Sequence, residues 1–196
     1  MKGAAVGFRV HSGWAALVAL AVEKGVPVVL ARRRVPLVDT FAYEFRQPYH
    51  TAEKLLLEKA RAFVARMRKE SRRLALRAIR ELAADLRDQG YRLSDCGLLR
   101  SSGRPLPKLP QILASHSLIH SADGELFREA ILHAAARHGL KSLTVKEREA
   151  LDSASRKLRT RPSELARRVN ELGRPLGAPW SQDQKLATMA AWMAVA

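Results

Sequence analysis

The sequence predicts a mixed α/β fold: a three-stranded antiparallel meander followed by parallel βα crossovers. Three observations carry this. Three strand-like apolar runs joined by tight glycine turns open the chain. A helical stripe over 52–89 contains neither Gly nor Pro. Two later strand signals are separated by helical segments. With 196 residues, 47% of them hydrophobic, the chain can bury a sizeable core, and one domain is expected.

Residues 3–12, 14–23 and 26–38 read as the meander. The first two runs meet at His11-Ser12-Gly13-Trp14 and the next two at Lys24-Gly25, both short hairpin turns. Residues 39–51 read as a loop with Phe41, Tyr43, Phe45 and Tyr49 in it. Thr51 reads as the N-cap of a long basic helix over 52–89, where Leu56, Ala60, Phe63 and Met67 recur at helical spacing and Leu74, Ala78 and Leu82 extend the stripe. Such a helix would be ~57 Å long, so a bend near Glu70-Ser71 is expected. Gly90 closes it. Residues 91–100 read as a fourth strand and 101–110 as a Ser/Gly/Pro loop. Residues 109–120 are helical, either continuing through Asp123-Gly124 or restarting there, and 125–138 are helical again. Residues 141–145 form a short fifth strand. Helices follow over 147–158 and 162–172, and Ser181 caps a last one over 182–195. The expected organisation is an α/β core over 1–145, with the helices of 146–196 packing on the same domain.

This element order resembles the ribonuclease H-like fold over nearly the whole chain. The segment Ser181-Gln182-Asp183-Gln184-Lys185-Leu186-Ala187-Thr188-Met189-Ala190-Ala191-Trp192, an acid ahead of an Ala-rich apolar run, is similar to the last helix of Holliday-junction resolvases of the RuvC type. The resemblance implies a nucleic-acid-cutting scaffold that holds two metal ions with carboxylates, because hard divalent cations want oxygen ligands. It implies those carboxylates on the first strand, at the end of the fourth and on the last helix. Here the first strand, Ala4-Ala5-Val6-Gly7-Phe8-Arg9-Val10-His11, has no acid. The fourth offers Asp95 near its beginning, and Asp183 matches the last helix. A guanidinium at Arg9 repels a cation. The resemblance therefore implies the fold together with degenerate catalytic carboxylates.

Two constellations could carry chemistry. His116 and His120, at i and i+4, share a helix face. With Glu125 or Asp123 they could bind Zn²⁺, or serve as acid and base with Glu125 as orienter. The structural alternative is a half-buried pair packed beside Leu118 and Ile119. Arg9 and His11 share one face of the first strand, and a charge in the middle of a sheet needs a partner. A salt bridge to Glu125 or Asp183 would supply one, and so would an anionic ligand, with Ser12-Gly13 offering backbone N–H groups. Glu125 and Asp183 complete the candidate catalytic set with His116 and His120. No nucleophile elbow, phosphate loop or dinucleotide fingerprint is present. The single cysteine, Cys96, excludes an internal disulfide and any multi-cysteine zinc motif, and it reads as core, with Gly97 beside it relieving packing.

The net charge is +16. Residues 51–90 hold eleven basic and six acidic residues, and 141–175 hold ten and five. Arg66, Lys69, Arg72, Arg73 and Arg77 on the long helix, with Arg156, Lys157 and Arg159, are the candidate phosphate contacts, so DNA or RNA is the expected partner. Arg32-Arg33-Arg34 forms a third basic patch. The competing reading is an arginine-rich composition spread over solvated faces. The leading function is nucleic-acid binding by a catalytically degenerate protein. The alternatives are a hydrolase or nuclease of changed chemistry in a His/Glu cleft, or an adaptor docking a protein partner on its Arg-rich helix. No cofactor is expected, a divalent metal being the one candidate. The apolar run 14–22 is too short to span a membrane. With no export leader legible at the start, a cytoplasmic, bacterial-type protein is expected.

Overall fold

The computed structural model describes residues 1–101 and 105–196. The predicted loop 101–110 therefore has residues 102–104 outside the described residues. Strands β1 (Lys2–His11), β2 (Trp14–Glu23), β3 (Val26–Pro36), β4 (Tyr91–Arg100) and β5 (Lys141–Lys146) form one sheet in the order β3-β2-β1-β4-β5. The pairs β1–β2 and β2–β3 are antiparallel, and β1–β4 and β4–β5 are parallel. The opening strand is thus central, and the predicted meander with βα crossovers is the observed sheet.

Helices cover both faces. Helix α3 (Leu57–Asp88) and helix α5 (His116–Arg137) lie on one, and α8 (Gln182–Val195) lies across β1, β2 and β4 on the other, with α6 (Ala150–Lys157) and α7 (Pro162–Gly173) beside it. The period of two in β1 decides which residue meets which layer. Ala4, Val6 and Phe8 enter the core under α3 and α5, so Ala5, Gly7, Arg9 and His11 face the α8 side. Gly7 and Gly97 make that second layer very close. A Cβ at Gly7 would lie 1.9 Å from the Ala187 carbonyl oxygen, and one at Gly97 2.1 Å from that of Ala190. Strand backbone and the Ala-rich helix touch directly, which fixes where α8 begins. Gly97 relieves packing, as its neighbour Cys96 suggested, and Cys96 is buried.

Several local expectations are corrected. The 39–51 loop contains two short helices, α1 (Tyr43–Arg46) and α2 (Pro48–Ala52). Thr51 lies inside α2 and donates its hydroxyl to the Glu44 carbonyl at 3.1 Å, so it does not cap the long helix. That helix starts at Leu57, after Leu56 turns extended (ψ 144). It runs unbroken to Asp88. The Ser71 hydroxyl is buried and donates to the Leu37 carbonyl at 2.7 Å, which satisfies it against the end of the meander. The predicted helix 109–120 is split. Helix α4 (Leu109–Leu113) ends where Ser115 is extended, and α5 then runs straight through Gly124. Ser181 does cap α8, accepting from the Asp183 N–H while Gln184 accepts from the Ser181 N–H. No helix among the described residues is long and apolar enough to cross a membrane.

Candidate functional site

Parallel strands β1, β4 and β5 bring their C-terminal ends to the same edge of the sheet, where open α/β sheets place their ligand crevice. The start of α8 arrives there too. A cleft of about 460 Å³ opens at this edge, lined by Arg9 from β1, Arg100 from β4, Glu147 and Arg148 from the turn after β5, and Gln182 from α8. At its floor the Arg9 guanidinium bridges two acids. One terminal nitrogen donates to Glu147 at 2.6 Å, and the other donates to Asp183 in a close ion pair. His11 Nε2 contacts the same Asp183 oxygen at 2.8 Å. The His11 ring stacks on Trp14, with centroids 4.4 Å apart and planes 11° from parallel, and Arg34 lies over Trp14 at 4.2 Å. The hydrogen bond to Glu147 holds the Arg9 guanidinium firmly charged. Burial works to raise the Asp183 carboxyl, but the hydrogen bonds and charges of His11 and Arg9 outweigh it and hold Asp183 below its usual range.

Of the expected partners for Arg9, Asp183 is the one found, and Glu125 is not. Glu125 lies 3.5 Å from Arg100 and 3.8 Å from Arg128 instead. It borders the cleft through Arg100, so the cleft carries three guanidiniums, Arg9, Arg100 and Arg148, and its bordering acids are already paired. Glu147 was missed as a site residue. It is the first residue beyond β5, and the parallel order places that position at the same sheet edge as the end of β1, with β4 between them. Ser12 sits in the two-residue turn between β1 and β2, where the Gly13 carbonyl accepts from the Leu37 N–H at 2.9 Å.

His116 and His120 belong to a second constellation, on the other side of Glu125. At about 100° per residue Glu125 falls about 180° around the helix from His116, so it cannot orient either imidazole. Asp123, at i+7 from His116, shares their face. It is 2% exposed and accepts from the Tyr49 N–H at 2.6 Å and from His50 Nδ1 at 2.5 Å. Burial pushes the Asp123 carboxyl up, against the pull of these two donors. His50 was also missed. It comes from α2, which contacts α5 and whose Tyr49 and Ala52 share one apolar cluster with Ile119 and Ala122 of that helix. Only that packing brings it to the pair. The three rings meet edge to face, with centroids 4.5–5.5 Å apart. Among the described residues, this is the one group of three whose ligand atoms all lie within 4.8 Å of one another. The predicted His/Glu cleft therefore separates into an Arg/acid cleft and a histidine cluster.

The basic surface divides as well. Arg72 pairs with Glu129, Arg73 with Asp39 at 2.5 Å and Arg77 with Glu81 at 3.6 Å. Arg66 covers Phe63 at 5.2 Å. Arg32 donates to the carbonyls of Gly177 and Pro179 at 2.8 and 2.5 Å, and Arg33 pairs with Asp85, so part of the third basic patch serves the fold. Lys69, Arg156, Lys157 and Arg159 are exposed, and among the described residues none of the four has a carboxylate within salt-bridge distance.

No protein-family model and no curated protein matches this chain. Solved structures do. The T. thermophilus RuvC in complex with Holliday junction substrate is 15% identical with a TM-score of 0.54, over 97% of this chain and 91% of that one. A second T. thermophilus RuvC structure is 13% identical with a TM-score of 0.52, over 97% and 92%. With its opening strand at the centre of the sheet and these likenesses over nearly the whole chain, it has a ribonuclease H-like fold of the RuvC type.

Proposed function

We propose that this protein binds nucleic acid through a ribonuclease H-like cleft that has exchanged metal-held cleavage for cationic recognition. The observation that carries the reading is Arg9. It stands on the central strand where the resemblance implies a metal-gripping carboxylate, and its guanidinium ties up both Asp183 and Glu147. A divalent cation would have to displace that guanidinium and meet Arg100 and Arg148 beside it. Phosphate oxygens meet the opposite situation, since guanidiniums recognise them with paired N–H donors. The solved neighbour was captured with a Holliday junction, and branched or duplex DNA is the first ligand to try. Lys69, Arg156, Lys157 and Arg159 extend the positive surface beyond the cleft, while Arg72, Arg73 and Arg77 contribute less because acids already neutralise them.

The test is fluorescence anisotropy with labelled junction, duplex and single-stranded probes across a salt series, and gel analysis of the same probes with Mg²⁺ or Mn²⁺. Binding should weaken by ~10³-fold or more between low and moderate salt if about six phosphates are contacted, with every probe intact. Replacing Lys157 and Arg159 by Gln should lower the salt slope by about 1 per lost contact, and Arg73→Gln by less. No binding at low salt removes the proposal, and metal-dependent cleavage abolished by Asp183→Asn removes its non-cutting part.

A further inference from the structure

We propose that His50, His116 and His120 form a zinc site, separate from the cleft and independent of the nucleic-acid reading. The geometry is that of three imidazoles gathered around one point. His116 Nε2 and His120 Nε2 are 3.0 Å apart. Two nitrogens each 2.0–2.1 Å from a tetrahedral ion stand about 3.3 Å apart, so the pair needs to open by only a few tenths of an ångström. His50 offers a third ring nitrogen from α2, the three ligand atoms lying within 4.8 Å of one another. Its Nδ1–H is committed to the Asp123 carboxylate, which leaves Nε2, with its lone pair, for the ion. A buried carboxylate fixing the tautomer and ring plane of a ligating histidine is the usual outer support of such sites. Asp123 is itself held by the Tyr49 N–H. The support therefore ties α2 to α5, the two elements that supply the ligands.

The donor chemistry selects the metal. An all-imidazole set suits Zn²⁺ and the neighbouring transition metals and disfavours Mg²⁺, which wants oxygen. Three protein ligands leave the fourth tetrahedral position for water or a substrate atom, the arrangement of zinc sites that do chemistry rather than only staple a fold. His116 and His120 are exposed, so that fourth position is open to solvent. Along α5, His120 and His116 lie about 8 and 13 Å beyond Glu125, toward the same end of the sheet as the cleft.

The test uses the full chain stripped with a chelator and titrated with Zn²⁺ alone, followed by elemental analysis after desalting. Co²⁺ is substituted for a visible spectrum that reports tetrahedral nitrogen ligation. One Zn²⁺ per chain is expected, with His116→Ala and His120→Ala abolishing it. Both side chains are exposed, so both variants should keep wild-type helicity by circular dichroism. Asp123→Asn should weaken binding by ~10–100-fold while retaining the Co²⁺ spectrum. If the His116→Ala/His120→Ala double variant takes up as much Zn²⁺ as the wild type, or if neither binds, the proposal is overturned. Loss of nucleic-acid binding with zinc binding intact would remove only the earlier reading.

Discussion

The arginine cleft and the histidine cluster sit at the same end of the sheet and solve opposite electrostatic problems. In the cleft, the Arg9 guanidinium pairs with two acids through its terminal nitrogens and an imidazole joins one of them, while the Arg9 Nε stays buried without a partner among the described residues. In the cluster, three bases converge with one carboxylate behind them, and that carboxylate touches only one of the rings directly. Closed charge networks of the first kind fix elements relative to one another. Converging lone pairs of the second kind invite an ion. The contrast is between acids already occupied by a guanidinium in the cleft and imidazole nitrogens that face one another in the cluster.

The comparison breaks most readily at the glycine contacts that seat α8 on the sheet. Gly97→Val places side-chain atoms inside the Ala190 carbonyl. It should cost on the order of 3 kcal/mol, seen as a lower urea midpoint, and should separate Asp183 from Arg9. Zn²⁺ uptake by molecules that remain folded should persist, because the histidines lie on the other face of the sheet. An unchanged urea midpoint would mean that the close approach is not the positioning device.

A smaller effect is expected from Arg9→Ala. It removes the direct partner of both Asp183 and Glu147, leaving His11 on Asp183 and the more distant Arg100 and Arg148 in the cleft to offset them. Fully buried pairs lose about 3–5 kcal/mol when one partner goes, and exposed ones about 0–1. These side chains are partly exposed, so about 1–2 kcal/mol is expected from denaturant titration. Arg73→Ala, on an exposed pair, should be nearly neutral by the same assay.

The smallest effect is a pH dependence. Asp183 has its carboxyl held below the ordinary value. A depressed acid contributes stability that is complete above its unfolded pKa and is lost as pH falls through its folded one. Thermal stability should therefore hold from neutral pH down to about 4 and fall only in stronger acid. Asp183→Asn should remove that component and flatten the acid limb relative to wild type. A loss beginning near neutrality would contradict the assigned network.

Much of this was legible in local patterns. Alternation in the first strand placed Arg9 and His11 on one face, and the i, i+4 spacing paired His116 with His120. The capping pattern at Ser181 located the start of α8 and hence Asp183. Helical geometry also contained a signal that favoured Asp123 over Glu125, since i+7 shares a face and i+9 does not. Other contacts carried no local trace. Glu147 could be inferred only from the order of parallel strands. His50 lay in a segment that reads as an aromatic loop, and Thr51 beside it looked like a cap.

The sequence by itself determined the strand and helix periods, the hairpin turns, the central basic residue on the first strand and the charge surplus, because each rests on neighbours within a turn or a pleat. Tertiary structure decided which acid meets which arginine and which basic side chains remain available to a polyanion. It alone brought a third imidazole to the other two. Those outcomes depend on packing between residues far apart in the chain, such as Gly7 and Gly97 under α8 or Tyr49 against Asp123, and contacts of that range leave no periodic mark on the residues they join.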